Sequence, residues 1–264
     1  MANGGSGGRL VAGRLSRYRQ ILRFSSHEPD HDPAGAGGQP VSRRDIPARA
    51  LLFDLDGCLV DSLPAIRHCW ELVLSHFGAR LPSTARVRAL AGPPVDDVAR
   101  ALMPGADRAT ITAVVAAYRR CSVAHAADVP AFPGVPELLD TLTGDGIRLG
   151  IATSKSIEVA EPVLETLGLR DRFAIVEGTR RDELGTDKAT VVGRALAGLA
   201  ETSPGRPARP AALIGDREHD ILGAHAHGLA GWGALWGYGG RTELVRAGAD
   251  ALLAAPAEVT ALLA

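Results

Sequence analysis

Two carboxylates separated by a single residue, Asp54 and Asp56, close a short apolar run from Ala50 to Leu55 and are followed at once by Gly57. A carboxylate in such a place can attack phosphorus to form an aspartyl phosphate, which splits one difficult displacement into two easier ones. A second carboxyl two positions on can protonate the leaving oxygen and then deprotonate water. Phosphate monoesters hydrolyse so slowly unaided that accelerations up to about 10²¹ are needed, so the charge of the phosphate must be neutralised as well. Two carboxylates facing a phosphate repel it unless a hard cation intervenes, and Mg²⁺, with its octahedral shell of oxygens, meets that need. Asp216, directly after Gly215, and Asp220, one helical turn further on, can complete the shell. Thr153 and Ser154 can offer a hydroxyl and backbone N–H groups to phosphoryl oxygens at a helix N-terminus. Lys188 can place a point charge between nucleophile and phosphate.

Composition sharpens the lysine assignments. Of 29 basic residues, 27 are arginine and only Lys155 and Lys188 are lysine. A lysine kept against that background favours a position needing a compact ammonium, which supports a catalytic Lys188. Lys155 follows Ser154 and can face either the phosphate or the solvent. His225 and His227 look like a metal pair, but residues two apart on a helix do not face each other, so they read as surface histidines. Cys58 has no evident base to activate it and does not read as a nucleophile.

The elements that must position these residues follow from periodicity and punctuation. Ala50 to Leu55 reads as a buried strand ending in a tight loop. Helical patterns follow over Leu63 to Phe77, Ala85 to Leu90, Val95 to Met103 and Arg108 to Ala126, broken by Gly78, Pro82, Gly92-Pro93-Pro94 and Pro104-Gly105. From Pro133 strands and helices alternate, with strands expected over Ile147 to Thr153, Phe173 to Glu177, Ala211 to Gly215 and Ala230 to Trp236, and a last short strand and helix after Asp250. That alternation predicts an α/β fold with a parallel sheet covered on both faces. Ligands of such sheets collect at the carboxyl ends of the strands, where Asp54, Asp56, Thr153, Ser154 and Asp216 all fall. Trp232, Trp236 and Tyr238 fit a strand core, with the last two able to edge the pocket.

The first 49 of the 264 residues are rich in Gly, Pro, Ser and Arg and read as a disordered tail, with Leu10 to Phe24 able to form a basic amphipathic helix. This segment carries eight Arg against four acidic residues, which leaves the remainder at −5. Such a body gives no electrostatic case for nucleic acid, so the expected partner is a small phosphorylated metabolite. No apolar run is long enough for a membrane span. Three cysteines, Cys58, Cys69 and Cys121, are an odd count without paired spacing. They suggest neither a disulfide framework nor a zinc site, and a reducing, cytoplasmic location is expected.

Taken in order, Asp54-Leu55-Asp56-Gly57-Cys58-Leu59-Val60-Asp61-Ser62, Thr153-Ser154-Lys155, Lys188, and Gly215-Asp216-Arg217-Glu218-His219-Asp220 resemble the four motifs of haloacid dehalogenase superfamily phosphatases. Gly92-Pro93-Pro94 and Leu235-Trp236-Gly237-Tyr238-Gly239 resemble the phosphoglycolate phosphatase and 5′-nucleotidase-like branch. The resemblance implies a Rossmann-like three-layer core, residues 50–61 and 131–264, with strand order 5-4-1-2-3, and a small all-helical cap over residues 62–130. It further implies an aspartyl phosphate on Asp54. Mg²⁺ would be held by the Asp54 carboxylate, the Asp56 carbonyl and Asp216, with Asp220 direct or through water. Cys58 stands where these phosphatases most often carry Thr, which removes a hydroxyl expected to support the loop. Substrates of the phosphoglycolate or nucleoside monophosphate class are expected. The competing readings are a phosphotransferase, either a mutase or one directed at tyrosine, and a non-catalytic binding module. A dehalogenase has no use for Asp56 and a metal shell.

Overall fold

The structure, a computed structural model, describes residues 49–180, 183, 185–202 and 209–263. The tail, including the helix expected over residues 10–24, lies outside them. Strand β1 (Arg49–Phe53) starts the fold and is followed by helices α1 (Leu63–His76), α2 (Thr84–Ala89), α3 (Val95–Leu102) and α4 (Arg108–Ala124). Then come α5 (Val135–Gly144), β2 (Arg148–Ser156), α6 (Ile157–Thr166), β3 (Phe173–Thr179) and α7 (Lys188–Glu201). The chain closes with β4 (Arg209–Gly215), α8 (Glu218–Ala226), β5 (Ala230–Ala234), α9 (Arg241–Arg246), β6 (Ala251–Leu253) and α10 (Glu258–Ala261).

All pairings in the sheet are parallel, in the order β3-β2-β1-β4-β5-β6. Read from the other edge this is the expected 5-4-1-2-3 order with β6 added beside β5. The central strand is apolar on both faces because both are covered: Ala50 to Phe53 are at most 1% exposed. On one face Leu52, Ala152 and Leu213 pack under Val191, Ala195 and Leu199 of α7 and Ala224 of α8. Helices α1 to α4 bury a core of their own, in which Trp70, Leu74, Val98, Ile111 and Val114 meet. Local chemistry sets the ends of these helices: Asp107 caps α4 by accepting from Thr110 N at 2.7 Å, and Asp187 caps α7 by accepting from Thr190 N at 2.8 Å.

Three expectations are corrected. Strand β2 runs three residues past Thr153, because Ser156 still pairs with Thr179 across an irregular stretch, so Thr153 and Ser154 lie within the strand and helix α6 begins only at Ile157. Strand β5 stops at Ala234, where the glycine-rich stretch after it turns toward Asp216, so Trp236 and Tyr238 are loop residues. Cys69 and Cys121 form a disulfide, their Cα atoms 5.6 Å apart. Helices α1 and α4 pack side by side, and that packing brings together residues 52 positions apart. The pairing removes the cysteine argument for a reducing compartment. Among the described residues no helix is long and apolar enough to cross a membrane.

Candidate active site

The carboxyl ends of β1 and β4 lie next to each other, and their last hydrogen bond, Asp54 N to Ile214 O at 2.8 Å, carries the pairing into the loop beyond. That loop turns tightly on Leu55, whose carbonyl accepts from Leu59 N at 2.9 Å and Val60 N at 3.0 Å. Gly57 is required there: its φ is +83°, and a Cβ would overlap the Asp216 carboxylate. Cys58 is fully buried, and its thiol donates to Ile214 O at 3.4 Å. The thiol thus gives the loop a side-chain bond in place of the expected hydroxyl. Burial, and then the Asp54, Asp216 and Asp220 charges, push this thiol well above its ordinary range, which keeps it protonated and out of nucleophilic chemistry.

Asp54, Asp216 and Asp220 converge, each buried, with an oxygen of each within 4.8 Å of the others. Burial pushes the Asp54 carboxyl up to about 6, against the pull of Lys188 and with a further push from Asp220 and Asp56. Burial also drives Asp216 well above the carboxylate range, helped by Asp220 and Asp54. One ammonium sits among them. Lys188 Nζ is 2.6 Å from Asp54 Oδ1 and 2.7 Å from Asp220 Oδ1. Burial works to lower this ammonium, but the Asp220 and Asp54 charges outweigh it and raise it, so it stays charged.

The donor set fits a hard divalent cation. Asp216 Oδ2 accepts from Tyr238 N at 2.6 Å and Gly239 N at 3.3 Å, while its Oδ1 is buried without a hydrogen bond. A buried carboxylate oxygen oriented in this way, beside a second carboxylate, is what an oxygen-seeking ion uses. Asp220 has less to offer, since Oδ1 pairs with Lys188 and Oδ2 caps α8 by accepting from Arg217 N at 3.0 Å.

Asp56 points elsewhere. Lys155 Nζ lies 2.9 Å from both of its oxygens, which answers the question left by the sequence: Lys155 faces inward. Asp54, Asp56, Thr153, Ser154 and Lys155 line one side of a cleft, and Trp70, Pro93, Val98, Tyr118 and Arg119 line the other from the helical insert. Lys188 is buried and meets this lining through its bond to Asp54 Oδ1. Thr153 is 1% exposed, and its hydroxyl accepts from Lys155 N at 3.2 Å, which sets the course of the backbone beside Asp54. His225 and His227 take separate partners, Asp250 at 2.9 Å and Ala189 O at 2.7 Å.

The resemblance implied a helical cap, but sequence reasoning did not find which helical side chains of the insert line the cleft. Trp70 and Tyr118 stack with ring centroids 4.2 Å apart, and Arg119 occupies the buried stripe that Ile111, Val114 and Val115 begin on α4. An arginine on that apolar stripe was the available signal.

A profile of the haloacid dehalogenase-like hydrolases matches residues 51–233. Over 189 residues the chain is 34% identical to the tyrosine-protein kinase PtkA of Mycobacterium tuberculosis, covering 72% of this chain and 62% of that protein's length. A 5′-nucleotidase of Pseudomonas aeruginosa is 33% identical over 195 residues, 74% of this chain and 86% of its own. Among solved structures, a predicted phosphatase from Clostridium acetobutylicum superposes with a TM-score of 0.73 at 26% identity, over 83% of this chain and 99% of that one.

Proposed function

Since the chain belongs to the haloacid dehalogenase-like hydrolase family, we propose that it is a phosphatase that hydrolyses small phosphate monoesters with Asp54 as nucleophile and Asp56 as general acid and base. The observation that carries this reading is the pair of carboxylates two residues apart on the β1 loop, each with its own lysine, lining one cleft.

Asp54 attacks phosphorus through the oxygen that is not engaged by Lys188, its negative charge passing to the phosphoryl group and the leaving oxygen, and the Lys188 ammonium favours the ionised form of Asp54 that can attack. Asp56 delivers its proton to the leaving oxygen and afterwards takes one from the water that hydrolyses the aspartyl phosphate. Phosphoryl oxygens find Ser154 and the Lys155 ammonium on the same side of the cleft. Asp54, Asp216 and the Asp56 carbonyl would hold Mg²⁺, with Asp220 acting directly or through water. Mg²⁺ would supply charge neutralisation between the carboxylates and the phosphate. Helices α1 to α4, residues 62–130, act as a cap that excludes water and contacts the leaving group. Phosphoglycolate and nucleoside monophosphates are the expected substrate classes.

The relative named as a tyrosine-protein kinase supports a second reading, phosphotransfer from the same aspartyl phosphate to a tyrosine hydroxyl. Both are tested by measuring phosphate release from phosphoglycolate, nucleoside monophosphates, sugar phosphates and phosphotyrosine, with Mg²⁺ or chelator, for wild type and Asp54→Asn. Metal-dependent release abolished in Asp54→Asn supports hydrolysis. Release from no ester, together with transfer of a labelled phosphoryl group from an added nucleoside triphosphate donor to a tyrosine peptide, with the diphosphate as leaving group, moves the reading to transfer.

A further inference from the structure

The loop after β5, Leu235 to Gly240, has no task in the mechanism above, yet it touches four parts of the site. Trp236 Nε1 donates to the Cys58 carbonyl at 2.8 Å, behind the nucleophile loop. Gly237 and Gly239 press so closely on Asp216 that a Cβ on either would overlap its atoms. Through the main chain, Tyr238 N and Gly239 N hold Asp216 Oδ2. Through its side chain, Tyr238 reaches the other way: its hydroxyl accepts from Leu63 N at 2.9 Å, donates to Asp61 Oδ1 at 3.2 Å and lies 3.3 Å from Ser62 Oγ.

Residues 61–63 are the linker from the sheet into the helical insert. The return linker runs beside it, with Val60 paired to Ala131 and Asp61 N donating to Pro130 O at 2.9 Å. The Phe132 ring of that return linker lies 6.4 Å from the Tyr238 ring. From α2 of the insert, Arg88 donates to the Gly237 and Tyr238 carbonyls at 2.8 and 3.2 Å. One residue is therefore bonded at one end to a carboxylate of the acidic cluster and at the other to the hinge of the insert.

We propose that Tyr238 is a positioning residue that couples occupancy of a metal site at Asp216 to the position of the cap, through its hydroxyl at the Asp61–Leu63 hinge. The proposal rests on reading Asp216 as a metal ligand and the insert as a cap. Without a cation, Asp54, Asp216 and Asp220 repel one another, and Asp216 is gripped only at Oδ2, by the loop. A cation held at Oδ1 ties the carboxylate from both sides, which steadies the main chain of residues 237–239. The Tyr238 side chain, held by packing against the insert's core and by its hydroxyl bonds, carries the constraint to the Leu63 N–H. Coupling of binding free energies is reciprocal, so a cap held closed tightens cation binding by the same factor.

A merely structural Tyr238 also accounts for its ring, which packs against the core of the insert, but phenylalanine fills that role equally well. The test therefore uses Tyr238→Phe in the full chain, with Mg²⁺ binding measured calorimetrically and amide exchange followed over residues 61–66 with and without Mg²⁺. Wild type is expected to bind Mg²⁺ and to slow exchange at the hinge about fivefold or more on binding. The variant keeps both backbone donors to Asp216, so it is expected still to bind Mg²⁺, weakened by no more than the coupling factor it has lost, while the exchange response disappears. An equal response in the two proteins, or none in a wild type that binds Mg²⁺, overturns the coupling and leaves the metal reading standing. A wild type that binds no Mg²⁺ overturns the metal reading, and the coupling falls with it.

Discussion

Asp54 and Asp216 meet in the acidic cluster at the ends of neighbouring strands β1 and β4, whereas Trp70, Tyr118 and Arg119 reach the cleft beside Asp54 from α1 and α4, helices whose approach depends on the insert's own core. In the α/β part, a residue's place along its strand fixes its place at the site, because parallel strands align their carboxyl ends. In the insert, a side chain's place in the cleft follows from how four helices pack, and nothing local dictates it. In the proposed function the first region carries the chemistry and the second shapes what reaches it. The two are joined by the paired linkers at Val60 and Ala131 and by the Arg88 and Tyr238 contacts.

The largest effect that can break this division is in the α/β part. Asp54→Asn is expected to cut the rate of phosphate release about 10⁴-fold with the circular dichroism spectrum unchanged; activity within tenfold of wild type would place the nucleophile elsewhere. In the insert, the expected effect is on stability. The disulfide closes a span of 52 residues within the insert, so Cys121→Ser is expected to lose about 2–4 kcal/mol relative to oxidised wild type. Reduced wild type should melt with the variant in a thermal scan. A melting point independent of reductant would mean that the insert holds its shape without the cross-link.

A smaller effect returns to the acidic cluster. Asp54 in the folded, metal-free protein titrates near 6, raised chiefly by burial from the ordinary 3.8. The folded state thus binds this proton more tightly than the unfolded chain does, and ionising the group works against folding. The penalty is absent below the unfolded value, grows through the interval between about 4 and 6, and is fully present above it, on the order of 2 kcal/mol. Metal-free protein should therefore gain stability as pH falls from 7 toward 5 in urea titrations. Asp54→Asn should lose that part of the slope, and Mg²⁺ should flatten it. A slope identical in wild type and variant would assign the pH dependence to other groups. The smallest effect concerns the tail: removal of residues 1–48 is expected to leave kcat/KM within about twofold. A larger loss would give that segment a part in one of the two regions.

Much of the α/β part was legible in the sequence because its signals are local. Asp54-Leu55-Asp56-Gly57 stops a strand, Gly215-Asp216 stops another, and the boundaries of α1 and α3 fall within a residue or so of those expected from periodicity and breakers. The misses come from contacts distant along the chain. The extension of β2 depends on Thr179, the early end of β5 on Asp216, and the direction of Lys155 on Asp56, 99 residues away. Cys69 and Cys121 showed no pairing because what makes them neighbours is the packing of α1 against α4.

By itself the sequence determined the order and type of the elements, the family, and which side chains stand at the ends of the strands, since each of these is set by a residue's near neighbours. The tertiary structure alone decided which lysine serves which aspartate, which helices wall the cleft, and that Tyr238 reaches from Asp216 to Leu63. Those pairings depend on the distance and angle between whole elements. These are set by the sum of many buried contacts across the core, which no short stretch of sequence contains.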